Sequence, residues 1–327
     1  MAVPTSVGLV SACTVVVTTR VAPLAYRTLH AHQVLDMPNH RSSHVQPTVR
    51  GGGVACLAAL LVVWLGATVS GVEMPHLSLM AAAVLAGVGL ADDIWGLPSA
   101  GRLLAQVVVG VALGAALGGP GTMLLGALAF PVGVNAVNFM DGINGITGLT
   151  VSAWAIVVLV AGSGSTGPAA TLLAALALGQ AMGFLPWNVP RARMFLGDSG
   201  SYLFGALIAG AVLESHTSAS TGSAWLVVIA PLTIYLFDTG FTLLRRAGKR
   251  APLLAAHREH LYQRLWPSGT QQHMQVALLV AGLSLLIGLA WLLLAPVVAL
   301  VGTAMVLAFY LWLSASNRAT LTAGGIA

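Results

Sequence analysis

Long apolar runs broken by short polar interruptions set the pattern of this chain. Runs of membrane-crossing length, interrupted by Gly, Pro or charge, predict about eleven helices, because a span needs roughly 20 residues. Their centres fall near Val15, Leu61, Val84, Val109, Leu128, Val157, Leu176, Leu207, Ile229, Leu285 and Val306. The pairs that meet near Gly119 and near Pro296 leave almost no connecting loop. The first run has no Lys or Arg ahead of it and no small-residue cleavage site, so it reads as a retained helix rather than a removed signal peptide. The expected fold class is an all-α polytopic membrane protein, with residues 1–327 forming a single integral membrane domain.

Composition agrees. Hydrophobic residues make up 57% of the chain and charged residues 7%, where an ordinary soluble domain is about a quarter charged. The distribution of charge then assigns sides. With the N-terminus outside, the loops after every odd-numbered span and the C-terminal tail lie in the cytoplasm. Those segments hold Arg27, Arg41, Arg50, Arg102, Arg191, Arg193, Arg245, Arg246, Lys249, Arg250, Arg258, Arg264 and Arg318, leaving only Arg20, near the inner end of the first span. The connections "GVEMPH", "GGPGT", "GSGSTGP" and "ESHTSASTGS" on the other side contain no Lys or Arg, the asymmetry that the positive-inside rule describes. Asp36, Asp92, Asp93, Asp141, Asp198, Asp238 and Glu259 gather on the basic side, with Glu73 and Glu214 opposite. The net charge of +5 suits anionic headgroups and phosphorylated substrates. The two cysteines, Cys13 and Cys56, sit far apart in apolar segments and form neither a disulfide framework nor a metal pattern. No soluble domain, basic helix with interleaved aromatics or zinc-finger spacing points to nucleic acid.

Five polar clusters occupy the five internal cytoplasmic loops. The first, "DMPNHRSSHVQPTVRGGG" at 36–53, offers His44, Arg50 and three glycines. It reads equally as a solvated loop and as an anion cradle, since glycine lets the backbone come close. The second, "GLADDIWGLPSAGR" at 89–102, pairs Asp92 with Asp93 and ends on Arg102. Adjacent carboxylates repel, so one can act as a base or the pair can face a cation. In "NAVNFMDGING" at 135–145, Asn135, Asn138, Asp141 and Asn144 recur every three residues and predict one polar helical stripe. The fourth, "RARMFLGDSGSYLFG" at 191–205, surrounds Asp198 with small residues that suit a diphosphate or metal, and Phe195 is placed to stack on a flat ring. The fifth, "AHREHLYQRL" at 256–265, sets His257 and His260 on one predicted helical face with Arg258 and Arg264 nearby, which favours an anion patch over zinc.

At these residues the chain resembles the polyprenyl-phosphate N-acetylhexosamine-1-phosphate transferases, the family of the bacterial WecA-type and MraY-type enzymes and their eukaryotic dolichol counterpart. The matching motifs run in family order from residue 36 to residue 265. The resemblance implies transfer of a sugar 1-phosphate from a UDP-sugar to undecaprenyl phosphate, with release of UMP. It further implies magnesium, or manganese in its place, a bacterial inner-membrane location with a periplasmic N-terminus, and a homodimer. It assigns Asp198 and Asn138 to the metal and Asp92 and Asp93 to the catalytic acidic pair. Arg102, with Arg50 and His44 of the first loop, is placed among the substrate contacts. Asn144 and Phe195 fall on the uridine side, supported by Asn135 and Asp141, and His257, Arg258 and His260 on the diphosphate and sugar. Two departures steer the reading toward the WecA- and WbpL-type branch of surface polysaccharide synthesis and away from MraY-type muramyl-pentapeptide transfer. Asn144 stands where many bacterial relatives have a second aspartate, and HREH replaces consecutive histidines. A transporter would place ionisable groups along a midplane path and show repeats, and neither pattern is read in this sequence.

Overall fold

The computed structural model of the chain describes residues 3–38, 46–218, 224–252, 259–265 and 270–323. His44, His257 and Arg258 lie outside the described residues. The elements in chain order are α1 (Val3–Ala31), β1 (Leu35–Asp36), β2 (Thr48–Val49), α2 (Gly53–Val69), α3 (His76–Trp95), α4 (Ser99–Leu117), α5 (Pro120–Met140), α6 (Ile146–Thr166), α7 (Pro168–Asn188), α8 (Gly197–Ser218), α9 (Ala224–Ile229), a 3₁₀ turn (Ala230–Leu232), α10 (Thr233–Gly248), α11 (Leu261–Leu265), α12 (Thr270–Leu293) and α13 (Pro296–Ala323).

All eleven expected centres fall on helices or on the α9–α10 rod. Among the described residues, nine helices are long and apolar enough to cross a membrane. Two rods fall outside that set for different reasons. Helix α2 has 17 residues, and α8 carries Asp198, Glu214 and His216 together with several serines. Helix α8 tolerates these groups because it is buried along almost its whole length, enclosed by α2, α3, α5 and α7. The chain is a multi-pass membrane protein organised around this central, polar-ended helix.

Prolines start α5, α7 and α13, where a missing N–H costs nothing. Pro231 interrupts the ninth rod, giving the 3₁₀ turn between α9 and α10. Small residues let the rods approach, as expected where lipid supplies no hydrophobic drive between helices. A Cβ at Gly110 of α4 would overlap the Gly126 carbonyl of α5, and one at Gly205 of α8 would press on the backbone of Val134 of α5. The first polar loop is more structured than a solvated loop. Leu35 and Asp36 pair antiparallel with Val49 and Thr48, and Val49 bridges Met194.

Candidate active site

Helix α8 begins with amide groups that have no partner within the helix. Asp93, from the end of α3, supplies one. Its Oδ1 accepts from the Asp198 N–H at 2.9 Å and its Oδ2 from the Ser199 N–H at 2.9 Å. Negative charge at this position also opposes the positive end of the α8 dipole. Oδ1 further accepts from Arg50 Nε at 2.8 Å, and the Asp93 side chain is fully shielded from solvent. The geometry requires Gly197, whose φ is 74° and where a Cβ would stand 2.6 Å from Asp93 Oδ2.

Asp92 faces differently. Gly96 closes α3 in the left-handed conformation, and the turn returns the Leu97 N–H to Asp92 Oδ1 at 2.6 Å. Asp92 Oδ2 pairs with Arg102 Nη1, and the same nitrogen lies 3.3 Å from Asp198 Oδ2. Arg50 Nη2 lies 3.2 Å from Asp198 Oδ1, and the Asp92 and Asp198 carboxyls share Arg102 Nη1. Three carboxylates and two guanidiniums from four separate segments thus meet at one end of the bundle. Asn138 joins them, its Oδ1 accepting from Ser201 Oγ at 3.3 Å one turn into α8.

The facing Asp92 and Asp198 carboxyls provide the test for a divalent cation. Two such groups repel unless a proton or a cation lies between them. Among the described residues no three of His, Cys, Asp and Glu gather to hold a metal. Magnesium does not require three, because it is usually held by one or two carboxylates plus substrate phosphates. The donor set fits.

Two of the glycines of "RGGG" give their amides to backbone carbonyls of the protein. The Gly52 N–H donates to the Phe195 carbonyl at 2.9 Å and the Gly53 N–H to Leu196 at 2.7 Å. A Cβ at Gly53 would overlap the Gly200 backbone. The run therefore lets the start of α2 abut α8 and carries Arg50 to the cluster. Phe195 is held in this ladder, its own N–H donating to Val49 at 2.8 Å.

The polar stripe of "NAVNFMDGING" is also corrected. Helix α5 ends at Met140, so Asp141 and Asn144 lie in the following turn rather than on the helical face of Asn135 and Asn138. Asn135 turns toward α4, donating to Gln106 Oε1 at 2.6 Å. Asn144 is buried, and its amide donates to the Pro190 carbonyl at 3.2 Å, which braces the segment leading to Phe195. Asp141 keeps part of its surface open, yet burial of its carboxyl pushes its pKa up to about 7.

In the last loop, His260 precedes α11 rather than riding on a helix. It is 3% exposed, and its Nδ1 lies 2.9 Å from Asp238 Oδ1. It is thus held against Asp238 with little open surface. Arg245, followed by Arg246, pairs with Glu259 and holds that carboxyl below its usual range, while Arg264 donates to the Glu259 carbonyl. These arginines are spent on fixing the loop. The structure thus gathers Arg50, Asp92, Asp93, Arg102, Asn138 and Asp198, and turns Asn135 to Gln106, Asn144 to Pro190 and His260 to Asp238. Sequence reasoning assigned no role to Asp238 and Tyr262. An aspartate inside an apolar run was the available signal, because intramembrane charge is costly and seldom idle.

Comparison with known proteins identifies the family. Residues 74–216 match the family model described as glycosyl transferase family 4. A decaprenyl-phosphate N-acetylglucosaminephosphotransferase of Mycobacterium leprae (strain TN) is 33% identical over 291 residues, covering 74% of this chain and 72% of the relative. A probable undecaprenyl-phosphate N-acetylglucosaminyl 1-phosphate transferase of Bacillus subtilis (strain 168) is 26% identical over 294 residues, covering 82% and 78%. A phospho-N-acetylmuramoyl-pentapeptide-transferase of Corynebacterium urealyticum (strain ATCC 43042 / DSM 7109) is 28% identical over 284 residues, covering 66% and 74%. With a third of the aligned positions shared across most of both chains in the first of these, and with the charged cluster inside or beside the matched segment, the chain belongs to glycosyl transferase family 4, in the WecA-like branch of the MraY/WecA superfamily.

Proposed function

We propose that this chain transfers an N-acetylhexosamine 1-phosphate from a UDP-sugar to undecaprenyl phosphate, releasing UMP and leaving a lipid-linked diphosphate sugar. The observation that carries the reading is the convergence of Arg50, Asp92, Asp93, Arg102 and Asp198 at one end of a membrane bundle. Both reactants are phosphate anions, and phosphoryl transfer is catalysed chiefly by positioning and charge stabilisation.

In the substrate-free protein the arginines neutralise the aspartates. A donor diphosphate competes for Arg50 and Arg102, which are partly exposed at 37% and 23% of their side-chain surface and so can turn to its oxygens. Asp92 and Asp198, released from those pairs, are then the carboxylates that would hold magnesium, with Asn138 beside them. Bound there, magnesium would supply charge neutralisation of the diphosphate. Asp93 keeps α8 in place throughout, because its oxygens are committed to backbone amides. An oxygen of the lipid phosphate attacks the β-phosphorus, and the bond to the UMP oxygen breaks. A phosphate monoester ionises a second time at about pH 6, so the acceptor needs orientation by Arg50 or Arg102 more than it needs a strong base. Asn144 acts indirectly, by bracing Pro190 and the segment that carries Phe195 toward the nucleotide. His44, His257 and Arg258 remain proposed contacts on the strength of their motifs. The reading takes residues 1–327 as one transferase domain of the bacterial inner membrane, assembled as a homodimer.

The test is direct. Detergent-purified protein is incubated with magnesium, undecaprenyl phosphate and a panel of UDP-sugars, including N-acetylglucosamine, N-acetylgalactosamine, 6-deoxy N-acetylhexosamine and muramyl-pentapeptide donors, and UMP and lipid product are measured. One UDP-N-acetylhexosamine should react. Asp198→Asn and Arg102→Ala should each lower kcat by about 100-fold or more, as loss of a charge-stabilising group does elsewhere. Absence of turnover with every donor, or full activity in both variants, defeats the reading, and turnover confined to the muramyl-pentapeptide donor moves the chain to the MraY type.

A further inference from the structure

Asp238 lies within the apolar rod Ala224–Gly248 and is completely buried. It stands ten residues before the end of α10 at Gly248, about 15 Å along a helix that rises 1.5 Å per residue. Both of its oxygens are engaged. Oδ1 meets His260 Nδ1 at 2.9 Å, the Leu261 N–H at 3.0 Å and Thr242 Oγ1 at 3.3 Å. Oδ2 accepts from the Tyr262 N–H at 2.9 Å and the Tyr310 hydroxyl at 2.7 Å. With the carboxylate ionised, His260 Nδ1 is a donor, which selects the ring tautomer.

Such a residue is costly in a membrane and is not needed to pack helices against one another. What it provides here is a set of partners for the chain that turns back into the bundle between α10 and α12. The first amides of a helix have no partner within it and need one where water is excluded, and Asp238 accepts from those of Leu261 and Tyr262 at the start of α11. The consequence reaches the site through Tyr262. Its hydroxyl donates to the Phe139 carbonyl at 3.3 Å, and a Cβ at Gly142 would overlap that hydroxyl. The His260 ring stands 6.2 Å from the Phe139 ring. Gly142 follows Asp141 directly, and Phe139 follows Asn138 directly.

We propose that Asp238 is a positioning residue for phosphosugar transfer: it anchors His260 and Tyr262 inside the bundle, and through the Tyr262 hydroxyl it fixes the last residues of α5, next to Asn138, and the turn after them that holds Asp141. The proposal rests on the transferase reading for its catalytic consequence, but its structural half stands independently of that reading. Hydrogen–deuterium exchange on the folded full-length chain tests that half. Asp238→Asn and Tyr262→Phe should each speed exchange in peptides covering 139–145, with peptides covering 162–170 at the other end unchanged. Unaltered exchange at 139–145 in Tyr262→Phe overturns the proposal, whether or not any UDP-sugar reacts.

With the reactive donor, each variant should raise KM for the UDP-sugar by about fivefold and leave KM for the lipid phosphate within about twofold, since a loss of folded protein alone would move neither KM. The double variant should be no worse than the poorer single one within about twofold, the non-additivity of residues on one path. Losses that multiply, or a KM for the donor equal to wild type, overturn the proposal. Tyr262→Phe leaves the carboxylate and its partners in place, so it decides the matter even where Asp238→Asn does not fold.

Discussion

Asp92 and Asp93 are neighbours in sequence and differ in their partners. Asp93 is committed to two amides of α8 and to Arg50, while Asp92 meets Arg102, whose Nη1 also reaches Asp198. Asp141 offers a pH signature. Its carboxyl titrates at about 7 in the folded protein because burial disfavours the charge, against about 3.9 in an unfolded chain. The unfolded state therefore binds fewer protons between those values, so stability falls as pH rises from about 4 to about 7 and is level above. Thermal unfolding in detergent across that range should show a shallower decline in Asp141→Asn than in wild type; parallel curves would mean that Asp141 does not titrate in this window. The types of residue at the site were legible from sequence, because carboxylates, amides and arginines at the ends of apolar runs are chemically conspicuous. Their partners were not. Asn135 and Asn138 are three residues apart, yet one bonds Gln106 of α4 and the other Ser201 of α8.

The helices themselves follow from apolar length, and their ends from Pro, Gly and polar residues, so every expected centre lies on a rod. How closely two rods approach is decided residue by residue. Gly89 and Gly87 both lie on α3, but a Cβ at Gly89 would overlap the Asp198 carbonyl, whereas one at Gly87 meets nothing within 4 Å. Gly89→Ala should cost about 1–3 kcal/mol through overpacking and also lower activity, because it moves Asp198. Gly87→Ala should be neutral or stabilising by up to about 1 kcal/mol from helix propensity. Thermal unfolding of the two variants makes the comparison, and equal effects would count against a backbone contact between α3 and α8. The extension of the polar stripe past Met140 failed for a similar reason: periodicity continues in the sequence after the helix has stopped, and Gly142 and Gly145 belong to the turn.

At the scale of the whole molecule, the segments that bear Arg50, Asp92, Arg102, Asn138 and Asp198 converge at one end of the bundle. From the basic residues in the sequence we expect that end to face the cytoplasm. In a chain with Cys13→Ala and Cys56→Ala, an impermeant maleimide should label Glu73→Cys in cells with the outer membrane opened. It should reach Arg191→Cys only after the inner membrane is breached, and the reverse pattern would invert the orientation. Sequence alone determined the membrane class, the helical rods and the inventory of polar groups, because length, hydropathy and charge are local properties that survive without a fold. Only the tertiary structure decided that α8 is the enclosed centre, that Asp93 caps it, and that Asp238 draws the last loop inward. Those outcomes depend on which helices touch, and contacts between segments tens to more than a hundred residues apart leave no periodic trace in the chain. "NAVNFMDGING" illustrates the division: its composition announced a site, but its helix end, the Ser201 contact and the Tyr262 brace existed only once α4, α8 and the returning segment before α12 had packed around it.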